Sequence, residues 1–509
     1  MLVKIILLLL FFGCMIGVGL YARKSTSNTN DFVLGGRNVG PWLSAFAYGT
    51  SYFSAVVFVG YAGQFGWKYG LASTWIGLGN AVLGSLLAWV AMGRRTRVMT
   101  HHLEVATMPD FFGKRYDSNV IKITASVIAF VFLIPYTASV YNGLSRLFGM
   151  AFDIPYTVCV VTMAVLTGIY VILGGYMATA INDFIQGIIM LVGIVAVIGA
   201  VLSGQGGFLE AVRKLSEIPS DVPVTMGQQG AFASFFGTDP LNLLGVIILT
   251  SLGTWGLPQM VHKFYAIKSE RAIKTGTIVS TFFAVIVSGG CYFLGGFGRL
   301  FDSEALYKAD GTVLYDAVVP TMLATLPDIL IGIVIVLVLS ASMSTLSSLV
   351  LTSASTLTLD FLKGNLVKDM DDKKQLIYIR VLIVFFIVLS VVLALNPPTF
   401  IAQLMGISWG ALAGAFLAPF LYGLYWKGVT KAGVWASFIC GVGITVSNMF
   451  LKFIASPINA GAVAMIAGLI VTPLVSLVTP KLENQFLGKI FMCYDNTVNV
   501  SKKEYLKED

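Results

Sequence analysis

Runs of about twenty apolar residues recur from one end of this chain to the other, and few folds admit that pattern. Each run is long enough to cross ~30 Å of hydrocarbon as a helix. In lipid, only helices and closed barrels satisfy their own backbone polar groups, and a barrel would show short alternating segments instead. The 509 residues are 57% apolar and 11% charged, where a soluble chain carries about 25% charged residues. The expected class is therefore an all-α membrane protein. Thirteen membrane helices are expected, near 2–22, 42–66, 71–93, 120–150, 155–175, 180–203, 236–264, 272–298, 327–362, 377–395, 399–425, 430–453 and 460–479. The first run has the length of a signal peptide. The basic Ala22-Arg23-Lys24 follows it instead of a small-residue cleavage site, so it reads as a retained helix.

The net charge of +8 sits in short connectors between apolar runs, which argues for membrane topology and against nucleic acid. Alternate connectors are basic: Arg23-Lys24, Arg94-Arg95-Arg97 with Lys114-Arg115, Lys263 with Lys268 and Lys274, Lys363 with Lys373-Lys374, then Lys427, Lys431 and the tail. These are expected on the cytoplasmic side of a cell (inner) membrane, with the N-terminus outside and the C-terminus inside. The long outer loops, 205–235 and 299–326, are expected to hold short helices and act as lids. The tail after Lys481 is polar. Five scattered cysteines show no CxxC spacing, so neither a disulfide framework nor a zinc site is expected. His101, His102 and His262 fall in expected connectors without ligand spacing. No enzyme, transition metal or organic cofactor is anticipated.

Three segments carry polarity to membrane depth. The helix near 42–66 passes through Ala47-Tyr48-Gly49-Thr50-Ser51-Tyr52-Phe53-Ser54. The helix near 236–264 passes through Ser251-Leu252-Gly253-Thr254-Trp255-Gly256-Leu257-Pro258-Gln259. Unwound backbone at this depth needs protein or a water-filled cavity around it. The two segments are five helices apart, the spacing of inverted repeats, although Gly-rich packing or a proline kink gives the same letters. The third segment is Ser340-Ala341-Ser342-Met343-Ser344-Thr345-Leu346-Ser347-Ser348. Ala341, Ser344, Thr345 and Ser348 share one helix face. Neutral hydroxyls and carbonyls suit sodium, a hard ion that must be released, where carboxylates and imidazoles favour other metals. Bonding of these hydroxyls to their own helix accounts for them equally well. Asp183, in Asn182-Asp183-Phe184-Ile185-Gln186, opens the helix near 180–203 after the turn signal Gly174-Gly175. A mid-membrane acid costs about 3 kcal/mol, so it needs a partner, a function or the helix N-terminus.

Together these segments resemble the sodium:solute symporter family. The residues that carry the resemblance are Gly36-Arg37, Gly174-Gly175 with Asn182-Asp183 and Gln186, Gly256-Leu257-Pro258-Gln259 followed by Lys263-Phe264 where the family often has Arg-Phe, and Ala341 to Ser347. It covers nearly the whole chain. It implies a LeuT-type 5+5 inverted repeat, with one extra N-terminal and two extra C-terminal helices, in a single transporter domain. The repeats would be 42–203 and 236–425, followed by extra helices at 430–479 and a cytoplasmic tail at 480–509. The first sodium site would use the carbonyls of Thr50, Phe53 and Ala341 with the hydroxyls of Ser344 and Thr345. A second would use Asp183, Ser344, Ser347 and Ser348. Thr50 stands where most members have Ala, and Asn182 replaces a frequent Thr.

The resemblance implies alternating access by a monomer in the bilayer, with one or two sodium ions driving a small solute inward. One sodium descending 100 mV and a tenfold gradient supports about 500-fold accumulation of a neutral solute, and two support about 10⁵-fold. The solute cavity is expected around Tyr52, Ser54, Val57, Phe58, Thr254, Trp255 and Gln259, with Tyr136 and Tyr141 nearby. Galactose-type members carry Asn, Glu and Gln around 52–57, where this chain has Tyr52, Ala55, Val56 and Val57. The proline symporters carry Asp at the position of Tyr52. An amino acid or short organic acid is the favoured solute, its carboxylate held by backbone N–H groups at a helix break. A proton-coupled carrier of the same fold, a sugar symporter and a membrane-embedded sensor are the alternatives.

Overall fold

The computed structural model describes residues 2–23, 28–152, 154–363, 365–367 and 370–494; Lys24 and the tail from 495 lie outside them. The chain is all-α. Helix α1 is Leu2–Arg23. Helix α2, Pro41–Tyr52, is followed by α3 over 56–69 and α4 over 74–102. Helix α5 is Asn119–Phe152. The helix Tyr156–Gly204 is broken at Gly175 into α6 (156–174) and α7 (176–204). Helices α8 (Pro240–Gly256) and α9 (Pro258–Tyr265) form a pair bent by 45°. Then come α10 (Glu270–Gly295), α11 (Asp328–Leu362), α12 (Asp372–Leu395), α13 (Ile401–Tyr425), α14 (Lys431–Leu451) and α15 (Pro457–Val478).

Local chemistry sets these boundaries. Proline, whose missing N–H is no loss in a first turn, opens α2, α8, α9 and α15. The side chains of Asp239, Ser269, Asp371 and Thr430 accept backbone N–H groups at the starts of α8, α10, α12 and α14. Each such cap contributes about 1 kcal/mol.

Ten of the described helices are long and apolar enough to cross a membrane, or eleven with the bent pair counted as one span. Helices α13 and α11 are the interior of the bundle: 94% and 78% of their most apolar windows are buried, against 22% for α1 and 28% for α12. The two interrupted helices, α2–α3 and α8–α9, are five apart in order, as the sequence leads one to expect.

Short helices stand in both long loops, at Phe208–Glu217 and Tyr315–Ala324. Arg299 ties these loops to the end of α3. It donates to Asp221 at 2.6 and 2.9 Å and to the Trp67 carbonyl at 2.9 Å. Its guanidinium also lies over the rings of Trp67 and Phe232. At the opposite end, Lys122 bridges Asp110 (2.7 Å) and Asp360 (3.5 Å), and Thr107 donates to Asp360. This joins the helix Met108–Arg115 and α5 to the end of α11.

Candidate functional site

The break after α2 creates the site. Phe53 leaves the helix in an extended conformation (φ −109°, ψ 114°). The chain re-enters helix through the π-turn Val56–Tyr61, whose first N–H is accepted by the Ser54 hydroxyl at 3.2 Å. A helix that ends leaves its last carbonyls without intrahelical partners, and here they are deep inside the protein. The serine-rich face of α11 meets them. Ser344 Oγ donates to Thr50 O (3.0 Å) and Ala341 O (3.1 Å). Thr345 Oγ1 lies 3.4 Å from both Thr50 O and Ser51 O, and 3.1 Å from Ala341 O. The Thr50 hydroxyl turns back to Phe46 O (2.8 Å), so that residue offers only its carbonyl.

Four of the five oxygens expected for the first sodium site are thus gathered by one pair of helices, with Phe53 as the first residue of the break. A cation of sodium's size takes oxygens at about 2.4 Å, and in an octahedron those oxygens stand about 3.4 Å apart. The observed separations of 3.0–3.4 Å are close to that spacing.

A second polar cluster adjoins the first. Gly175 (φ 56°, ψ −148°) turns the chain sharply, and α7 then carries Asp183 into the interior, where it is fully buried. Lys263 on α9 lies 3.5 Å from Asp183 Oδ2 and donates to Ser348 Oγ at 2.9 Å. Ser348 is in turn 2.8 Å from Ser51 Oγ on α2. Ser347 and Ser348 donate to Ser344 O on their own helix. Lys263, counted from the sequence among the basic residues of a connector, is 3% exposed and buried on α9. His262 is likewise buried, against the ring of Tyr176. Hydropathy hid both residues because a charge ends an apolar run wherever its side chain points. The signal that could have found Lys263 was its position four residues after Gln259 on the same short helix.

The expected solute residues lie around the two breaks. Tyr52, Ser54, Val57, Phe58, Thr254 and Gln259 are all buried. The Tyr52 hydroxyl donates to Thr250 O across the breaks. Thr254 donates to Gly84 O (3.1 Å), and the Trp255 indole to Leu83 O (2.9 Å), so both bind α4. Gln259 differs from the rest: both its amide atoms are buried without a hydrogen-bond partner among the described residues. Trp409 on α13 was not anticipated. It stacks on Tyr52 (centroids 6.0 Å), meets Tyr136 edge-on (5.8 Å), and packs against Gly253 beside the break in α8.

Comparison with known proteins places the chain among transporters. Residues 32–441 match the model of the sodium:solute symporter family. The chain is 30% identical to a sodium/proline symporter of Staphylococcus aureus, over 94% of its own length and 93% of the relative's. Its fold is similar to that of a Na+-coupled sialic acid symporter solved in a substrate-bound outward-open state. That likeness has a TM-score of 0.77 and 16% identity, over 94% of this chain and 98% of that one. A nucleobase-cation-symport-1 transporter in a closed conformation is more distant, with a TM-score of 0.53 and 14% identity over 91% and 99%.

Proposed function

The chain belongs to the sodium:solute symporter family, and from that premise we propose that Thr50, Phe53, Ala341, Ser344 and Thr345 hold the sodium ion that drives its solute inward. It is a multi-pass membrane protein of LeuT-type fold and a secondary transporter, not an enzyme. The relatives named above suggest an amino acid or short organic acid as the solute. The observation that carries the site is the meeting of Thr50 O with the two hydroxyls of α11. Sodium there joins α2 to α11. Any rocking motion that parts the two helices dismantles the site, so ion affinity differs between states, and that difference is the coupling.

The finer topology follows from the same reading. Splitting 56–102 at Gly70, separating α6 from α7, and counting the bent pair once supports thirteen crossings. The repeats are then 42–203 and 236–425, in a chain that acts as a monomer with its N-terminus outside. Asp183, Ser344, Ser347 and Ser348 form the second cation-binding place.

Uptake into proteoliposomes, with and without an inward sodium gradient, tests the function over a panel of amino acids, short organic acids and sugars. Sodium-driven accumulation of one class is expected. Uptake that follows pH and ignores sodium would overturn the ion assignment.

Among the solute residues Tyr52, Ser54, Val57, Phe58, Thr254, Trp255 and Gln259, the unpartnered amide of Gln259 gives the sharpest test. A buried polar group without partners is tolerated when it serves a ligand. Replacing it by an apolar group of similar size is neutral or stabilising for the fold. Gln259→Leu should therefore leave the melting temperature unchanged or higher while raising the solute KM by about 10- to 100-fold. A normal KM would remove Gln259 from the cavity.

A further inference from the structure

The second cluster already contains a cation. Lys263 Nζ donates to Ser348 Oγ at 2.9 Å and stands 3.5 Å from Asp183 Oδ2, with both residues of the ion pair essentially inaccessible to water. It also lies 5.2 Å from the centroid of the Tyr176 ring. A carboxylate, a serine hydroxyl oxygen and an aromatic face are the acceptors that hold an ammonium in place of its water.

We propose that Lys263 is a resident cation of the transport core, its ammonium taking the place at Asp183 and Ser348 that a second sodium would fill, so that each cycle carries one sodium. This rests on the sodium site proposed above only for the identity of that one ion. A sodium bound to Asp183 and Ser348 would compete with Lys263 for the same oxygens, and two like charges in apolar surroundings exclude each other. The lysine is tethered, so it occupies the place at every sodium concentration. It also links three helices, because Asp183 is on α7, Ser348 on α11 and Lys263 on α9. Ser348 passes the link to Ser51, whose carbonyl is one of the oxygens around Thr345. The ammonium is therefore linked through Ser348, by two hydrogen bonds, to α2, the helix whose broken end holds the transported ion. A protein with one exchangeable sodium is limited to about 500-fold accumulation of a neutral solute under 100 mV and a tenfold gradient.

The test counts ions and needs no solute. Equilibrium binding of 22Na+ to the full-length purified protein is expected to saturate at about one ion per chain in wild type and about two in Lys263→Met. In Lys263→Met the bare carboxylate of Asp183 recruits the ion, so its melting temperature should rise with sodium more steeply than that of wild type. The double variant Lys263→Met/Asp183→Asn removes both charges and should return to about one ion. It serves as the folded control if the single variant is isolated only in sodium. Two ions in wild type, or one in Lys263→Met, would overturn the proposal. Thr345→Ala separates the two readings: it should weaken binding of the wild-type ion by about 10- to 100-fold and spare the ion gained by Lys263→Met.

Discussion

Thr345→Ala should raise the sodium concentration for half-maximal uptake by about 10- to 100-fold, and Ser344→Ala by a similar factor. The magnitude follows from the geometry. Each hydroxyl lies within 3.0–3.4 Å of both Thr50 O and Ala341 O. Neither position offers room for bulk water, since Thr50, Ser344 and Thr345 are fully buried. An oxygen bound to an ion contributes about 1.5–3 kcal/mol when nothing replaces it. The fold loses far less. Without the ion, each hydroxyl only bridges carbonyls, a contribution of about 1 kcal/mol. The double variant Ser344→Ala/Thr345→Ala should lose sodium-driven accumulation while still reaching the membrane and keeping its melting temperature in sodium-free buffer within a few degrees. Sodium-activation curves in proteoliposomes measure this directly. Unchanged half-saturation in both single variants would move the ion elsewhere.

Two features of this candidate site are local signals in the sequence. A serine-rich stretch in an apolar helix stands out by composition alone, and so does a Gly-Thr-Ser-Tyr-Phe-Ser interruption. Their pairing in one site is what the resemblance to the family implies, while the regular order of helices gives the spacing of the two breaks. Both breaks accordingly fall inside the segments where they were expected, at Phe53 and at Leu257. Lys263 and Trp409 were not legible for the opposite reason. Their roles depend on which way a side chain points across a helix interface, and charge counting treats every lysine between apolar runs as a topology marker. A lysine buried at a helix break and one in a loop have the same letter. Asp183 gave a hint, because an acid in that position requires a partner, and the partner is eighty residues away in sequence.

Gly175→Ala is expected to destabilise the protein by about 3–5 kcal/mol and to abolish transport with it. The backbone there, φ 56° and ψ −148°, lies where a side chain is strained at once. A Cβ would also sit 2.6 Å from the carbonyl oxygen of Phe32 and 2.8 Å from its ring, and the carbonyl is backbone that cannot swing away. Strain of this kind costs about 1–3 kcal/mol and the overlap adds about as much again. Relief would come from re-aiming α7 relative to α6. Helix α7 carries Asp183, so even a partial re-aiming lengthens the contact with Lys263, already 3.5 Å, and leaves two buried charges apart. The loss should therefore appear in two measurements: lower yield of folded protein, and loss of solute uptake in the fraction that folds. Gly174, in the same dipeptide, has ordinary helical backbone, but a Cβ there would meet the Ala178 Cβ, which has no rotamer to swing away, at 2.2 Å, so Gly174→Ala adds overlap without backbone strain. A stable and active Gly175→Ala would show that the turn at Gly175 is not what aims Asp183 at the site.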